Sequence, residues 1–147
     1  MDLVIQPMTM ADYEESFSLW QQSEGVGISS ADSPDGIARF LERNPDLSFV
    51  ARDGERLVGT VLCAQDGRRG YLYHLAVSAD YRRRGIGKTL VDRSLAALER
   101  LGIEKCHLFV LAGNKNGLEF WTAQGWTGRV DLIVMSHNLN PQGQASG

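Results

Sequence analysis

The sequence predicts an α+β fold, with an antiparallel meander in the middle of the chain and helices around it, and three observations predict it. Strand-like runs at residues 48–52, 57–65 and 71–77 follow one another at short intervals. Asp53-Gly54 and Asp66-Gly67 lie between them, and Asp-Gly supplies the positive backbone dihedrals of tight turns. From residue 85 the period changes: Leu90, Val91, Leu95 and Leu98 recur on one helical face, and Gly102 is placed to end that helix.

The remaining elements follow in chain order. Residues 3–6 read as a short strand. Thr9 then offers an oxygen to open a helix whose Tyr13, Phe17 and Trp20 recur at helical spacing. Residues 23–32 are rich in Gly and Ser and form a loop long enough to be mobile and to hold a ligand. Ser33-Pro34 is a cap with proline in the first turn, ahead of a buried stripe of Ile37, Phe40 and Leu41. Residues 105–111 read as a further strand, 116–124 as a helix ended by Gly125, and 131–138 as the last strand. Residues 1–139 are expected to be one domain, and 140–147, with nothing to bury, a frayed tail.

At 147 residues, 43% hydrophobic and 22% charged, the composition is that of an ordinary globular domain. A net charge of −3 excludes wholesale binding to nucleic acid or to an anionic membrane, both of which need a positive face. Neither a basic leader nor a long apolar run is present, so the expected location is cytoplasmic. Cys63 and Cys106 sit in apolar strand-like runs and read as small buried hydrophobes, and the histidines at 74, 107 and 137 have no metal-ligand spacing, so no metal site is expected.

The informative stretch is residues 75–90, LAVSADYRRRGIGKTL, which passes from a strand into a helix. Gly85 and Gly87 let a ligand approach the backbone, and free N–H groups at a helix start point at whatever sits there. Four cations between Arg82 and Lys88 make this a site for a phosphorylated anion. A nucleotide-hydrolysing P-loop requires glycine where Arg82 stands. A dinucleotide-binding turn requires a small residue where Leu90 stands, and an antiparallel meander is the wrong setting for it.

Arg82-Arg83-Arg84-Gly85-Ile86-Gly87, after a strand ending Leu75-Ala76-Val77, resembles the acetyl-CoA motif of the GNAT superfamily of N-acetyltransferases, Gln/Arg-x-x-Gly-x-Gly/Ala. Asn114, Phe120-Trp121 and Gly125-Trp126 resemble a later segment of the same superfamily. The resemblance implies a three-layer αβα sandwich around a mixed, mostly antiparallel sheet, and acetyl transfer from acetyl-CoA to an amine. It implies that the pyrophosphate of CoA meets Arg82, Arg83, Arg84, Gly85, Ile86, Gly87 and Lys88. The pantetheine arm would lie along the backbone of Leu75 and Val77 and against Asn114, with the Val77 amide facing the oxyanion.

The chemistry needs a base, because a primary amine is mostly protonated at neutral pH. Many members of the superfamily place a Glu on the strand that here carries Tyr71, Tyr73 and His74, and this chain has none there. His74 and Glu24 are the candidates: His74 as the base, Glu24 to attract a cationic acceptor or to act through water. Trp121 stands where a Tyr is common, and an indole N–H is too weak an acid to protonate a departing thiolate. Direct attack without an acyl-enzyme is expected, since neither cysteine has an evident His partner. The alternative is a noncatalytic acyl-CoA sensor or interaction module. Small amines, antibiotics, amino acids and protein amines are all compatible acceptors, and both a monomer and a homodimer are compatible with the sequence.

Overall fold

Strands β1 (Leu3–Pro7), β2 (Phe49–Asp53), β3 (Arg56–Gln65), β4 (Gly70–Val77) and β5 (Cys106–Leu108) form one sheet in that order, in a computed structural model that describes residues 2–140. Neighbours are antiparallel except β4 and β5, which are parallel. The reason lies in the connections. Two tight turns join β2, β3 and β4, whereas the chain reaches β5 through helix α3 (Ile86–Arg100), and a helical crossover is what parallel pairing requires.

Helices α1 (Tyr13–Gln21) and α2 (Pro34–Arg43) cover one face of the sheet, where Tyr13, Leu19, Trp20 and Ile37 pack with Val50, Leu62 and Ala76. On the other face Ile86, Leu90, Val91 and Leu98 of α3 pack with Phe49, Val58, Val61, Cys63 and Leu72. Helix α4 (Lys115–Ala123) adds Trp121 to that second cluster, and Trp126 follows just beyond the helix. The result is the expected three-layer sandwich. It explains why residues 57–63 of β3 are all buried: this central strand is covered on both faces, so its apolar run is nearly continuous.

The helix starts obey their local chemistry. Thr9 forms a reciprocal capping box with Asp12 over a 3-10 turn that leads into α1. Ser33 accepts from the Gly36 amide, with Pro34 in the first turn of α2. No helix among the described residues is long and apolar enough to cross a membrane.

One expected element is absent. Residues 131–138 pair with no strand among the described residues, and Val130, Ile133 and Met135 are 101%, 87% and 90% exposed. A strand needs a ladder to join, and the adjacent edge is short: β5 has three residues rather than the expected seven at 105–111. The tail expected from residue 140 lies, after Asn140, outside the described residues.

Candidate active site

The pairing of β3 with β4 contains an extra residue. Leu62 faces Tyr73 and Thr60 faces Ala76, so two steps on β3 match three on β4. This β-bulge falls at His74, whose φ of 48° is uncommon for a non-glycine residue. It turns both Tyr73 and His74 toward the α1–α2 face, where His74 packs edge-on against Trp20 at a centroid distance of 4.8 Å. A buried relay fixes the bulge: Trp20 Nε1–H donates to Thr60 Oγ1 (2.9 Å), and the Thr60 hydroxyl donates to the His74 carbonyl (2.9 Å). Thr60→Val keeps the shape and strands both partners, so stability is expected to fall by about 2 kcal/mol in chemical denaturation. An unchanged denaturation midpoint would remove the relay from the account.

His74 Nε2–H donates to Asp32 Oδ1 at 2.8 Å, the carboxylate having no proton to give. The other carboxylate oxygen accepts from the Ser29 amide (3.0 Å), and the Tyr13 hydroxyl donates to the Asp32 carbonyl (2.6 Å). Asp32 is 5% exposed and the His74 side chain 14%. Burial pushes the Asp32 carboxyl up, but the hydrogen bond from His74, the Ser29 amide and the charge of His74 together outweigh it and hold the group below its ordinary value. Gly36 permits this packing, since a Cβ there would meet the Ala31 carbonyl oxygen of the turn that carries Asp32.

Asp32 is the residue that sequence reasoning missed. Its signal was the spacing Ser29-x-x-Asp32, a capping box that fixes the turn at residues 30–32 in the loop expected to be mobile. Glu24, in the same loop, is exposed and makes no ion pair among the described residues. Nothing in the geometry joins it to His74.

On the other side of β4 the sheet opens. β4 pairs with β5 only at residues 70–72, and beyond Leu72 and Leu108 the two strands part. The Ser78 amide donates to the Val58 carbonyl, so residues 58 and 78 are a hydrogen-bonded pair and Val77, opposite Gly59, is not. Antiparallel alternation then turns the backbone of Val77 away from β3 and into the opening. Val77 O already accepts from Arg82 Nε (3.2 Å), while Leu75 and Val77 lean on the α3 core.

The start of α3 borders this opening. Its N-cap is Gly85, in the left-handed conformation at φ 79°, and no side chain caps the helix. The first intrahelical bond runs from the Thr89 amide to the Gly85 carbonyl, so the amides of Ile86, Gly87 and Lys88 come before it and point out of the helix end. Arg83 also has a positive φ, 63°. A glycine cap, outward amides and a cationic run form a cradle for phosphate, and these residues fit the pyrophosphate of CoA. The side chains are partly engaged: Lys88 pairs with Asp92 at 2.8 Å, and Arg84 lies over the Tyr81 ring. From α4, Phe120 reaches the other side of Gly87. Asn114 caps α4 through its Oδ1, which accepts from the Gly117 amide (3.0 Å), and Gly25 lies against its Nδ2. Trp121 packs between Phe120 and Trp126 as part of the core wall.

A parted parallel strand pair beside an uncapped, arginine-flanked helix start defines a class of sandwich protein that holds a long phosphorylated cosubstrate. The model of the acetyltransferase (GNAT) family matches residues 10–126, and the chain belongs to that family. Acetyltransferases of Sodalis glossinidius and Pectobacterium atrosepticum are each 36% identical to it over 103 residues, 70% of this chain and 72% of theirs. It is an acetyl-CoA-dependent acetyltransferase. The fold is shared with Ard1 from Thermoplasma volcanium (TM-score 0.77, 19% identity, 86% of this chain and 84% of that one). It is also shared with the PaiA N-acetyltransferase of Thermoplasma acidophilum, solved with coenzyme A (TM-score 0.74, 19% identity, 84% and 89%).

Proposed function

We propose that this enzyme acetylates an amine by direct attack, with His74 as the general base and Asp32 as the residue that positions it. The observation that carries this reading is the 2.8 Å contact between His74 Nε2 and a buried, twice-bonded carboxylate. With its Nε2–H committed to Asp32, the unprotonated form of His74 offers Nδ1 as the acceptor, and Nδ1 makes no hydrogen bond among the described residues. The amine nitrogen forms the new bond to the acetyl carbon, its proton passes to Nδ1, and the carbon–sulfur bond breaks to release CoA thiolate. A thiol of pKa about 8.5 leaves without help from an α4 tyrosine. The Val77 amide is assigned to the oxyanion. Leu75, Val77 and Asn114 are assigned to the pantetheine arm, and residues 82–88 to the pyrophosphate.

Direct attack is supported by the cysteines. Burial pushes the Cys63 thiol up to about 12 and the Cys106 thiol up to about 11, so neither is a thiolate nucleophile near neutral pH. Glu24, exposed in the loop between α1 and α2, is assigned to attraction of a cationic acceptor rather than to proton transfer.

The primary experiment follows thiol release from acetyl-CoA across small amines, polyamines, aminoglycosides, amino acids and peptides. Release above the enzyme-free rate with one class identifies the acceptor, and an acetylated cysteine trapped during turnover would refute direct attack. A second measurement concerns Asp32 alone. Because its folded pKa is depressed, it contributes stability above its unfolded value, near 4, and that stability is lost as pH falls through the folded value. Asp32→Asn is therefore expected to melt below the parent at pH 7, with the difference narrowing toward pH 3. A constant difference in thermal midpoint across that range would show that the ionised carboxylate is not what matters.

A further inference from the structure

The turn that leads into α3 has an unusual backbone and is exposed throughout. Arg82, Arg83, Arg84 and Gly85 all face solvent, and Arg83 (φ 63°) and Gly85 (φ 79°) are left-handed, a conformation uncommon for a residue such as arginine. Support comes from Tyr81, which closes the 3-10 turn Ala79–Tyr81. Its hydroxyl donates to Asp53 Oδ2 at 2.6 Å, and Asp53 Oδ1 accepts from the Asp2 amide at 2.9 Å, so the ring is tied to the β2–β3 turn and to the residue before β1. The hydrogen bond to Asp53 pushes the Tyr81 phenol up from its ordinary value, and the hydroxyl stays a donor. The guanidinium groups of Arg56 and Arg84 both lie over this ring, each 5.1 Å from its centroid. Two cations over one ring repel each other, and Asp53 and Asp80 offset that repulsion: Asp53 holds the hydroxyl, and Asp80 pairs with Arg56 at 3.5 Å.

We propose that Tyr81 is a positioning residue of the donor site, a platform that sets Arg84 and the left-handed turn at residues 83–85 in their phosphate-binding shape before acetyl-CoA arrives. The inference rests on the assignment of residues 82–88 to the pyrophosphate. An exposed turn that the ligand had to order would subtract the cost of ordering from the affinity, whereas a turn fastened from outside the cradle is ordered already. The fastening brackets the strained residue. Arg82 Nε donates to the Val77 carbonyl of β4 at 3.2 Å, and Arg84 lies over a ring pinned to Asp53 of β2, so both neighbours of Arg83 are held to the sheet. The frame itself is rigid: Asp53 and Arg56 end the hairpin of β2 and β3, which is paired to β1 on one side and to β4 on the other. Arg56 also donates to Ser78 Oγ at 3.1 Å, which ties the chain leaving β4 to the same hairpin.

Calorimetric titration of the full chain with acetyl-CoA tests this. Tyr81→Leu removes the platform and is expected to weaken binding by about tenfold, the scale of a partly desolvated cation–π contact. Tyr81→Phe keeps the ring under Arg84 and loses only the hydrogen bond to Asp53, so it is expected to bind within about threefold of the parent. Arg84→Gln alters an exposed side chain and leaves the fold alone, which keeps the test open should the leucine variant not fold. Because Tyr81 acts through Arg84, adding Tyr81→Leu to Arg84→Gln is expected to cost much less than Tyr81→Leu costs alone, a coupling that a loss of general stability would not produce. An unchanged affinity in Tyr81→Leu or in Arg84→Gln, a phenylalanine enzyme no better than the leucine one, or strict additivity in the double variant would each overturn the inference. Gly87→Glu distinguishes the two levels: if it abolishes binding while Tyr81→Leu binds as the parent does, this inference alone fails, and if it binds normally the pyrophosphate assignment fails and takes the inference with it.

Discussion

His74→Asn lowers turnover by about 10²–10⁴-fold, the usual contribution of a positioned general base, while acetyl-CoA binds as before. Asparagine is the informative replacement because, like histidine, it tolerates the positive φ of the bulge, so the strand keeps its extra residue. The donor opening lies on the other side of β4 and does not involve this ring, which is why affinity for acetyl-CoA is expected to stay constant. If turnover of His74→Asn stays within a few-fold of the parent and only its melting point moves, the ring is structural and the base lies elsewhere.

Gly87→Glu abolishes donor binding. The position lies in the first turn of α3, where a Cβ would sit between the Phe120 ring of α4 and the Val77 side chain of β4, within the turn whose amides precede the first intrahelical bond. A carboxylate in that place repels the pyrophosphate and occupies its hydrogen-bond donors. Losing two charge-assisted hydrogen bonds corresponds to about 3–4 kcal/mol, or roughly 10²–10³-fold in Kd, before repulsion is added. Gly87→Ala separates charge from bulk. Its Cβ would sit 3.5 Å from the Phe120 ring and 3.7 Å from Val77 Cγ2, which is ordinary contact, so the alanine enzyme should fold and bind with at most a small loss. Calorimetry on the two variants decides the matter. Equal affinities for the glutamate and alanine enzymes would mean that the helix start is not where the phosphates rest.

The two predictions probe opposite sides of one strand, and the structure makes that strand a divider. β4 presents His74 to the α1–α2 face through the bulge and presents the Val77 backbone to the opening beside β5. On the proposed reading, acceptor chemistry and donor binding thereby occupy separate surfaces within a few residues of each other. That separation is why a change on one side is expected to leave the other side's measurement intact.

The sequence by itself determined everything whose cause is local. Asp-Gly turns set the meander, Thr9 and Ser33 set helix starts, and the arginine–glycine run set an anion cradle, because each depends on backbone preference and neighbouring side chains only. The resemblance of that run to the acetyl-CoA motif implied the acyl donor. Only the tertiary structure decided what depends on residues distant in the chain. Asp32 and His74 are 42 positions apart, and their contact exists because one inserted residue in β4 rotates His74 onto the face that carries Asp32. A bulge is fixed by partners on another strand and helix, here Thr60 and Trp20, so no period in residues 70–77 announces it. Residues 131–138 teach the same lesson in reverse. Their composition is that of a strand, but a strand exists only where another edge receives it, and within one copy the short β5 does not.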